Sequence, residues 1–266
     1  MFSYHNHSVF SDGSAAPEQM IVAGVRAGLT ETGMSDHYSV LPGGSFPGWS
    51  MTDSSLGEYF SCLDALKEKY SGETIVRKGV EIDFFPETID AVCGSLEPFS
   101  PDYIIGSVHF WGDFPIDDTA EKWTALSPEE ADCVIEGYWK KIIAMAEDGR
   151  VDIVGHIDLY KKFGRFGRID TGAFEDTALE AVRDSGLALE INTAGFYKPA
   201  GEFYPSLSVL RKDVRLEIPV VVNSDAHHPA HLRRSFPEAY KLLEGLGVSR
   251  LAGYEGRRMV MRGLDY

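Results

Sequence analysis

Seven short apolar runs punctuate this 266-residue chain, and most are followed by a longer stretch whose apolar residues recur at helical spacing. The runs cover residues 2–7, 29–36, 75–83, 103–110, 151–157, 187–193 and 220–225. Several are apolar almost throughout, as at Ile104-Ile105 and Val220-Val221-Val222, which is the composition of strands buried on both faces. Strands alternating with helices predict an α/β protein with a parallel sheet, either closed as a barrel or open and doubly wound. At this length one large domain over residues 1–266 is expected, because α/β barrels routinely take such a chain whole.

The helices carry their own end signals. Ser14 stands ahead of Pro17, then come Met20, Ile21, Val22 and Val25, and Gly28 closes the stretch. Leu56, Tyr59, Phe60, Leu63 and Leu66 repeat at helical spacing before Gly72. The run Ser127-Pro128-Glu129-Glu130 reads as a capping box with proline at the first helical position, heading a helix through Val134, Tyr138, Ile142 and Met145 to Gly149. Residues 170–186, 205–216 and 237–247 give the remaining helices. Two long connections interrupt the alternation: 38–51, rich in Gly, Pro and Ser, and 111–126, which is acidic. Loops of that length inside a domain are usually functional or lid-like.

Composition excludes several classes. With 44% hydrophobic and 25% charged residues the chain is neither disordered nor collagenous. No apolar run approaches the roughly 18 residues needed to span a bilayer. The first residues show no secretory signal, and Cys62, Cys93 and Cys133 are scattered, so no disulfide framework or thiolate zinc site is expected and the cytoplasm is the default. A formal charge of −16 repels nucleic-acid backbones and anionic membranes. A small phosphorylated ligand stays possible if its site is locally positive. No G-x-G-x-x-G, Walker A or G-x-S-x-G context occurs, so dinucleotide binding and serine hydrolysis find no support.

Six of the eight histidines fall at or just past the C-terminal end of a predicted strand. They are His5 and His7 on the first, His37 on the second, His109 on the fourth, His156 on the fifth and His227 on the seventh, with Glu81 on the third. One histidine at a strand end is usually a hydrogen-bonded structural group. Six at one kind of position point to a shared site, because the C-terminal rim of a parallel barrel is where chemistry is assembled. His5 and His7, two apart on a strand, point to one face and can converge on one divalent ion. His228 and His231 fall beyond the strand and read as surface or supporting groups.

The ordered set His5-Asn6-His7, Ser11-Asp12-Gly13, Ser35-Asp36-His37, Gly79-Val80-Glu81, Ser107-Val108-His109, Gly155-His156-Ile157-Asp158 and Ser224-Asp225-Ala226-His227 resembles the PHP (polymerase and histidinol phosphatase) superfamily over most of the chain. Length and the stretch Glu190-Ile191-Asn192-Thr193-Ala194-Gly195, with Lys198-Pro199 and Tyr204-Pro205-Ser206, are most similar to its monofunctional histidinol-phosphatase group. The resemblance implies a distorted, TIM-like (β/α)7 barrel with a trinuclear metal centre at the C-terminal rim. It implies a metal-dependent phosphomonoesterase that splits L-histidinol phosphate into L-histidinol and phosphate, a step of histidine biosynthesis. Carried over position by position, one ion takes His5, His7, Glu81 and Asp225; a second shares Glu81 and adds His109 and His156; a third takes Asp12, His37 and His227. Tyr197 departs from the pattern, standing where this group is expected to carry a basic residue.

Nitrogen and oxygen ligands without thiolate suit Zn²⁺, Mn²⁺ or Fe²⁺ better than Mg²⁺ or Ca²⁺. Three carboxylates against about +6 from three ions leave a local surplus near +3, a cationic pit in an acidic protein. The expected nucleophile is a metal-bound hydroxide held by His5, His7, Glu81, His109, His156 and Asp225, attacking phosphorus in line. Asp36, Asp158 and His228 are candidate proton donors to the leaving group. Lys198, Lys161 and Arg165, with Lys162, are candidate phosphate contacts. The acidic segment 113–121 and Glu202 are placed to receive a cationic substrate end, and Trp49, Trp111, Trp123 and Trp139 are candidates to stack on substrate, of which Trp139, on a helix, reads as core or interface and Trp111 is left open. Three alternatives compete. One is another phosphoesterase of the superfamily acting on a different small ester or nucleotide. A second is an amidohydrolase, where Asp12, His37 and His227 would have no task. The third is a non-catalytic metal-binding module, disfavoured because none of the nine positions is lost.

Overall fold

The computed structural model describes residues 1–264. Each predicted apolar run contributes one strand to a seven-stranded sheet: β1 (Phe2–Ser3), β2 (Glu31–Met34), β3 (Ile75–Asp83), β4 (Tyr103–Ser107), β7 (Ile153–Val154), β8 (Ala188–Asn192) and β9 (Val220–Asn223). They lie in chain order, and every neighbouring pair is parallel. The outer strands β1 and β9 meet in a single bridge, Asn6 to Ala226, where the His7 amide donates to the Ala226 carbonyl at 2.9 Å. The sheet is thus an almost closed, distorted barrel of the TIM type. Closure wins over an open sheet because the connections all lead onward to the next strand.

Most strands are shorter than their apolar runs, and side chains explain why. Beyond Ser3 the Tyr4 amide donates to Asn223 Oδ1 at 2.8 Å and the Asn6 amide to Ser35 Oγ at 3.1 Å. Ahead of β7 the Ile104 amide goes to Asp152 Oδ2, and beyond it the His156 amide goes to Glu190 Oε2. Polar side chains replace ladder bonds there, which keeps buried backbone groups satisfied while freeing the rim to bend.

Around the barrel run α1 (Pro17–Arg26), α2 (Asp53–Lys69), α3 (Ile89–Leu96), α5 (Pro128–Asp148), α6 (Gly172–Asp184), α7 (Leu207–Arg215) and α8 (Phe236–Gly245). The capping box at α5 forms as expected: Ser127 Oγ accepts from the Glu130 amide, Glu130 Oε2 accepts from the Ser127 amide at 2.7 Å, and Gly149 ends the helix at φ +70°. The helix α1 begins at Pro17, two residues later than a Ser14 cap would start it. Ala16 is the boundary residue, and the Ser14 hydroxyl donates instead to the His227 carbonyl at 2.8 Å, tying this end of the chain to the rim. The acidic connection is partly ordered into the hairpin β5 (Phe110–Trp111) and β6 (Phe114–Pro115) and the short α4 (Ala120–Thr124). Trp111 packs flat against Gly137 of α5, where an added Cβ would lie 2.1 Å from its ring. Trp111 thus leans on α5 while Trp139 is buried in the core.

A second hairpin, β10 (Arg250–Glu255) and β11 (Arg258–Gly263), closes the opposite end of the barrel. Tyr254 donates to the Asp152 carbonyl at 2.8 Å and the Gly256 amide to Asp102 Oδ1 at 3.1 Å. Beneath it Glu31 joins Arg77 (2.7 Å), Arg262 (2.6 Å) and the Tyr4 hydroxyl (2.8 Å). Inside the barrel the Tyr103 ring stacks on Tyr4, with centroids 5.0 Å apart, and fills space left by Gly33 and Gly79. A Cβ on Gly79 would sit 2.3 Å from that ring. Gly79→Ala is therefore expected to cost about 1–3 kcal/mol through overpacking. Urea unfolding checks this: a lower midpoint at unchanged slope is the expected result, and an unchanged midpoint would show the ring can move aside. Among the described residues no helix is long and apolar enough to cross a membrane.

Candidate metal centre

The strands end in histidines and carboxylates, and parallel closure brings these ends to one rim. His5 and His7 follow β1, His37 follows β2, Glu81 lies on β3, His109 follows β4, His156 follows β7, and Asp225 and His227 follow β9. Loop residue Asp12 reaches the same place. The expected nine come together in overlapping groups whose ligand atoms all lie within 4.8 Å of one another: His7, Asp12, His37 and His227; His5, Glu81 and His156; His5, His7 and Asp225; and His37, Glu81 and His109.

Glu81 organises the cluster by dividing its two oxygens. Its Oε2 lies 2.9 Å from His5 Nε2 and 3.4 Å from His7 Nε2, and both nitrogens are near Asp225 Oδ1, at 3.6 and 3.4 Å. Its Oε1 faces the other way, 3.0 Å from His156 Nε2 and 3.6 Å from His109 Nε2. Four ligands held about 2.1 Å from a zinc-sized ion in a tetrahedron stand about 3.4 Å apart, which matches these separations. The third set is looser: Asp12 lies 3.2 Å from His227 and 3.8 Å from His37, with His7 also 3.8 Å away. Asp225 adopts φ +49°, a left-handed turn rare outside glycine, and its carboxylate faces His5 and His7.

Two carboxylates support the cluster without being among the expected ligands. Glu190 on β8 holds His5 Nδ1 at 2.6 Å, and Asp83 on β3 holds His109 Nδ1 at 3.1 Å, so each ring turns Nε2 toward the centre. Such partners fix tautomer and orientation of metal-binding imidazoles. Asp83 is two residues from Glu81 on one strand face, a signal readable in advance. Glu190 stood out only as the head of the Glu190–Gly195 stretch that resembles the histidinol-phosphatase group, with no role attached to it.

Protonation follows this crowding. Burial alone would depress His5, but Glu190, Glu81 and Asp225 more than offset it and hold the ring well above its usual range. Burial is likewise outweighed at His109, pushed up to about 10 by Asp83, and at His227, pushed up to about 9 by Asp12 and Asp225. Burial wins at His37, which drops to about 4, and at His7, where neighbouring His227 adds to it. Glu81 and Asp225 are held well below the carboxylate range: burial opposes this, and the surrounding histidines prevail.

Does this donor set fit metal ions? His7 is fully buried, yet neither ring nitrogen has a hydrogen-bond partner, and His37 Nδ1, which faces Glu81 Oε2 at 3.1 Å, likewise makes no hydrogen bond. A buried polar atom left without a partner costs about 1–3 kcal/mol. A divalent cation accepting those lone pairs removes that penalty at several positions together. The residues fit the group.

The centre opens into a cavity of about 590 Å³. Loop 38–51 contributes Trp49, the β5–α4 segment contributes Pro115, Asp117, Asp118 and Lys122, and Lys162, Lys198, Tyr204 and Arg234 complete the wall. Of the candidate phosphate contacts, Lys198 and Lys162 line the cavity, but Lys161 and Arg165 do not. The Lys161 ammonium is taken up by Asp158 (2.8 Å) and Glu202 (3.0 Å), which also turns Glu202 away from the task expected of it; Arg165 is exposed. None of the three candidate proton donors lines the cavity. Asp36 is buried accepting from Ser8 and Ser11, Asp158 pairs with Lys161 and the Ser206 amide, and His228 accepts from the Ala230 amide. His231 is exposed and belongs to no ligand group. Arg234, which the sequence reading missed, faces the cavity because the β9–α8 loop folds over the rim.

Comparison with known proteins agrees with this architecture. The family model described as PHP domain matches residues 3–194. A probable histidinol-phosphatase of Deinococcus radiodurans is 33% identical over 246 residues, covering 92% of this chain and 93% of the relative. A histidinol-phosphatase of Lactococcus lactis is 26% identical, covering 96% and 95%. In fold, the chain superimposes with a TM-score of 0.83 on a histidinol phosphate phosphatase from Lactococcus lactis, solved with zinc, L-histidinol and phosphate. That pair is 24% identical, over 97% of this chain and 98% of the other. With its family signature running through the strands that carry the cluster, the chain belongs to the PHP domain family.

Proposed function

We propose that this protein is a metal-dependent phosphomonoesterase whose substrate is L-histidinol phosphate, hydrolysed to L-histidinol and phosphate. The observation that carries the reading is Glu81, whose Oε2 faces His5, His7 and His37 and whose Oε1 faces His109 and His156, all 2.9–3.6 Å away. His5, His7, Glu81 and Asp225 would hold one ion, Glu81, His109 and His156 a second, and Asp12, His37 and His227 a third. Divalent Zn²⁺, Mn²⁺ or Fe²⁺ there supplies Lewis acidity to phosphoryl oxygens and lowers the pKa of water toward neutrality.

The remaining steps belong to the chain. Glu190 and Asp83 lock the His5 and His109 rings so that the centre costs little reorganisation when substrate enters. Lys198 meets the phosphoryl group from the cavity wall. Asp117 and Asp118 line the cavity as carboxylates already shared with Lys162 (3.0 Å) and Lys122 (2.7 Å), and the cationic end of the substrate meets them as ion pairs; Asp117 is kept ionised because His109 and Lys162 outweigh its burial. Trp49, Phe110 and Leu159 offer an apolar surface for an imidazole ring.

The test is turnover of L-histidinol phosphate beside p-nitrophenyl phosphate, a sugar phosphate and a nucleoside monophosphate, with protein of measured zinc or manganese content. A kcat/KM for L-histidinol phosphate about 100-fold above the others is expected, the worth of one charge-assisted contact to its ammonium. Equal turnover of all four would replace this substrate with a general phosphatase role.

A further inference from the structure

Four cationic side chains line the cavity, and two of them are already neutralised. Lys162 pairs with Asp117 at 3.0 Å and Lys122 with Asp118 at 2.7 Å. Among the described residues, no carboxylate pairs with Lys198 or Arg234 and their side chains make no hydrogen bond. In a chain with 41 acidic residues, leaving a half-buried guanidinium without a carboxylate is notable. Its Nε is buried and unpartnered.

The guanidinium is nonetheless held in place. Its carbon lies 4.8 Å over the Tyr197 ring. The Tyr197 hydroxyl shares a hydrogen bond with Ser235 Oγ at 2.9 Å, on the residue next to Arg234. Thr193 Oγ1 donates to the Arg234 carbonyl at 2.8 Å, so the segment after β8 grips the loop after β9 at two points. An aromatic face under a guanidinium fixes its plane and leaves its edge donors free. Tyr197, at a position where a basic residue was expected, supports a basic residue supplied from another loop.

Resting on the phosphomonoesterase reading, we propose that Arg234 is a phosphoryl-binding residue, acting with Lys198, and that Tyr197 is its positioning residue. The planar fork of arginine meets two phosphoryl oxygens at once, which a lysine ammonium does not. Lys198 supplies the point charge and Arg234 the direction.

The experiment uses zinc-loaded wild type and the variants Arg234→Ala, Arg234→Lys, Tyr197→Ala and Tyr197→Phe. Inorganic phosphate affinity is read by calorimetry, and product inhibition by phosphate and by L-histidinol is read separately. Arg234→Ala is expected to weaken phosphate about 10–100-fold, the loss of a charge-assisted pair. KM for the phosphate ester should rise in parallel while inhibition by L-histidinol stays within about twofold. Arg234→Lys recovers part of the loss. Tyr197→Ala weakens phosphate about 2–5-fold, the scale of a cation–π contact, and Tyr197→Phe, which keeps the ring, stays near wild type. Unchanged phosphate affinity in Arg234→Ala with zinc retained, or equal losses for phosphate and L-histidinol, overturns the proposal. Should Arg234→Ala lose zinc, Arg234→Lys decides: wild-type phosphate affinity there refutes the need for a fork. Should wild type hydrolyse other phosphate esters but not L-histidinol phosphate, the substrate reading fails, and phosphate affinity still judges Arg234.

Discussion

Glu81→Gln is expected to lower kcat/KM on phosphate esters by about a thousandfold or more and to cost the protein metal in the same step. Glutamine keeps the shape but offers one oxygen and no charge, whereas Glu81 faces His5, His7 and His37 with one oxygen and His109 and His156 with the other. Changing a residue that merely orients a metal ligand typically costs about 10–100-fold. Removing the shared ligand of two sets exceeds that, and a thousandfold corresponds to about 4 kcal/mol. The variant also strands buried imidazoles without their central countercharge. Metal content and kcat/KM on the same preparation check the expectation. Wild type stripped by a chelator should fall to a comparable floor and recover on adding Zn²⁺ or Mn²⁺, while Glu81→Gln should not recover. An active stripped protein, or a fully active Glu81→Gln with its metal, would remove Glu81 from the centre.

At the other end of the barrel, Glu31→Ala is expected to cost about 3–5 kcal/mol of stability, the usual penalty for leaving a buried charge unpaired. Glu31 is 2% exposed and holds Arg77, Arg262 and the Tyr4 hydroxyl within 2.8 Å. Without it, Arg77 keeps, among the described residues, only Asp102 and Glu255 as carboxylate partners, each 3.8 Å away. For a domain of this size the thermal midpoint should fall on the order of 10 °C. Glu31→Gln, which keeps an acceptor, should lose less. Because the network lies below the barrel and the metal cluster above it, metal content of the folded variant should be unchanged. A loss under about 1 kcal/mol would mean that this network is solvated and contributes as little as a surface ion pair.

Much of this was legible from residue order. Apolar runs alternating with helical spacing determine a parallel sheet, and the ends of parallel strands share one rim whether or not the strands' exact lengths are known. That is why His5, His7, His37, Glu81, His109, His156, Asp225 and His227 could be placed together from sequence. Asp83 was legible in principle through its spacing from Glu81. The cationic residues behaved differently. Lys161 and Arg165 follow the fifth strand as closely as Lys162 does, yet only Lys162 faces the cavity, and Arg234 was not foreseen.

The sequence by itself determined which side chains lie at strand ends, because the twofold period of a strand and the direction of the chain are local properties. Only the tertiary structure decided which charges are spent and which are free. Asp158 and Glu202 claim Lys161, Asp117 claims Lys162, and Tyr197 props Arg234 over the opening. Those pairings join loops far apart in the chain, and a side chain's electrostatic role depends on its nearest countercharge in space, which no local periodicity encodes.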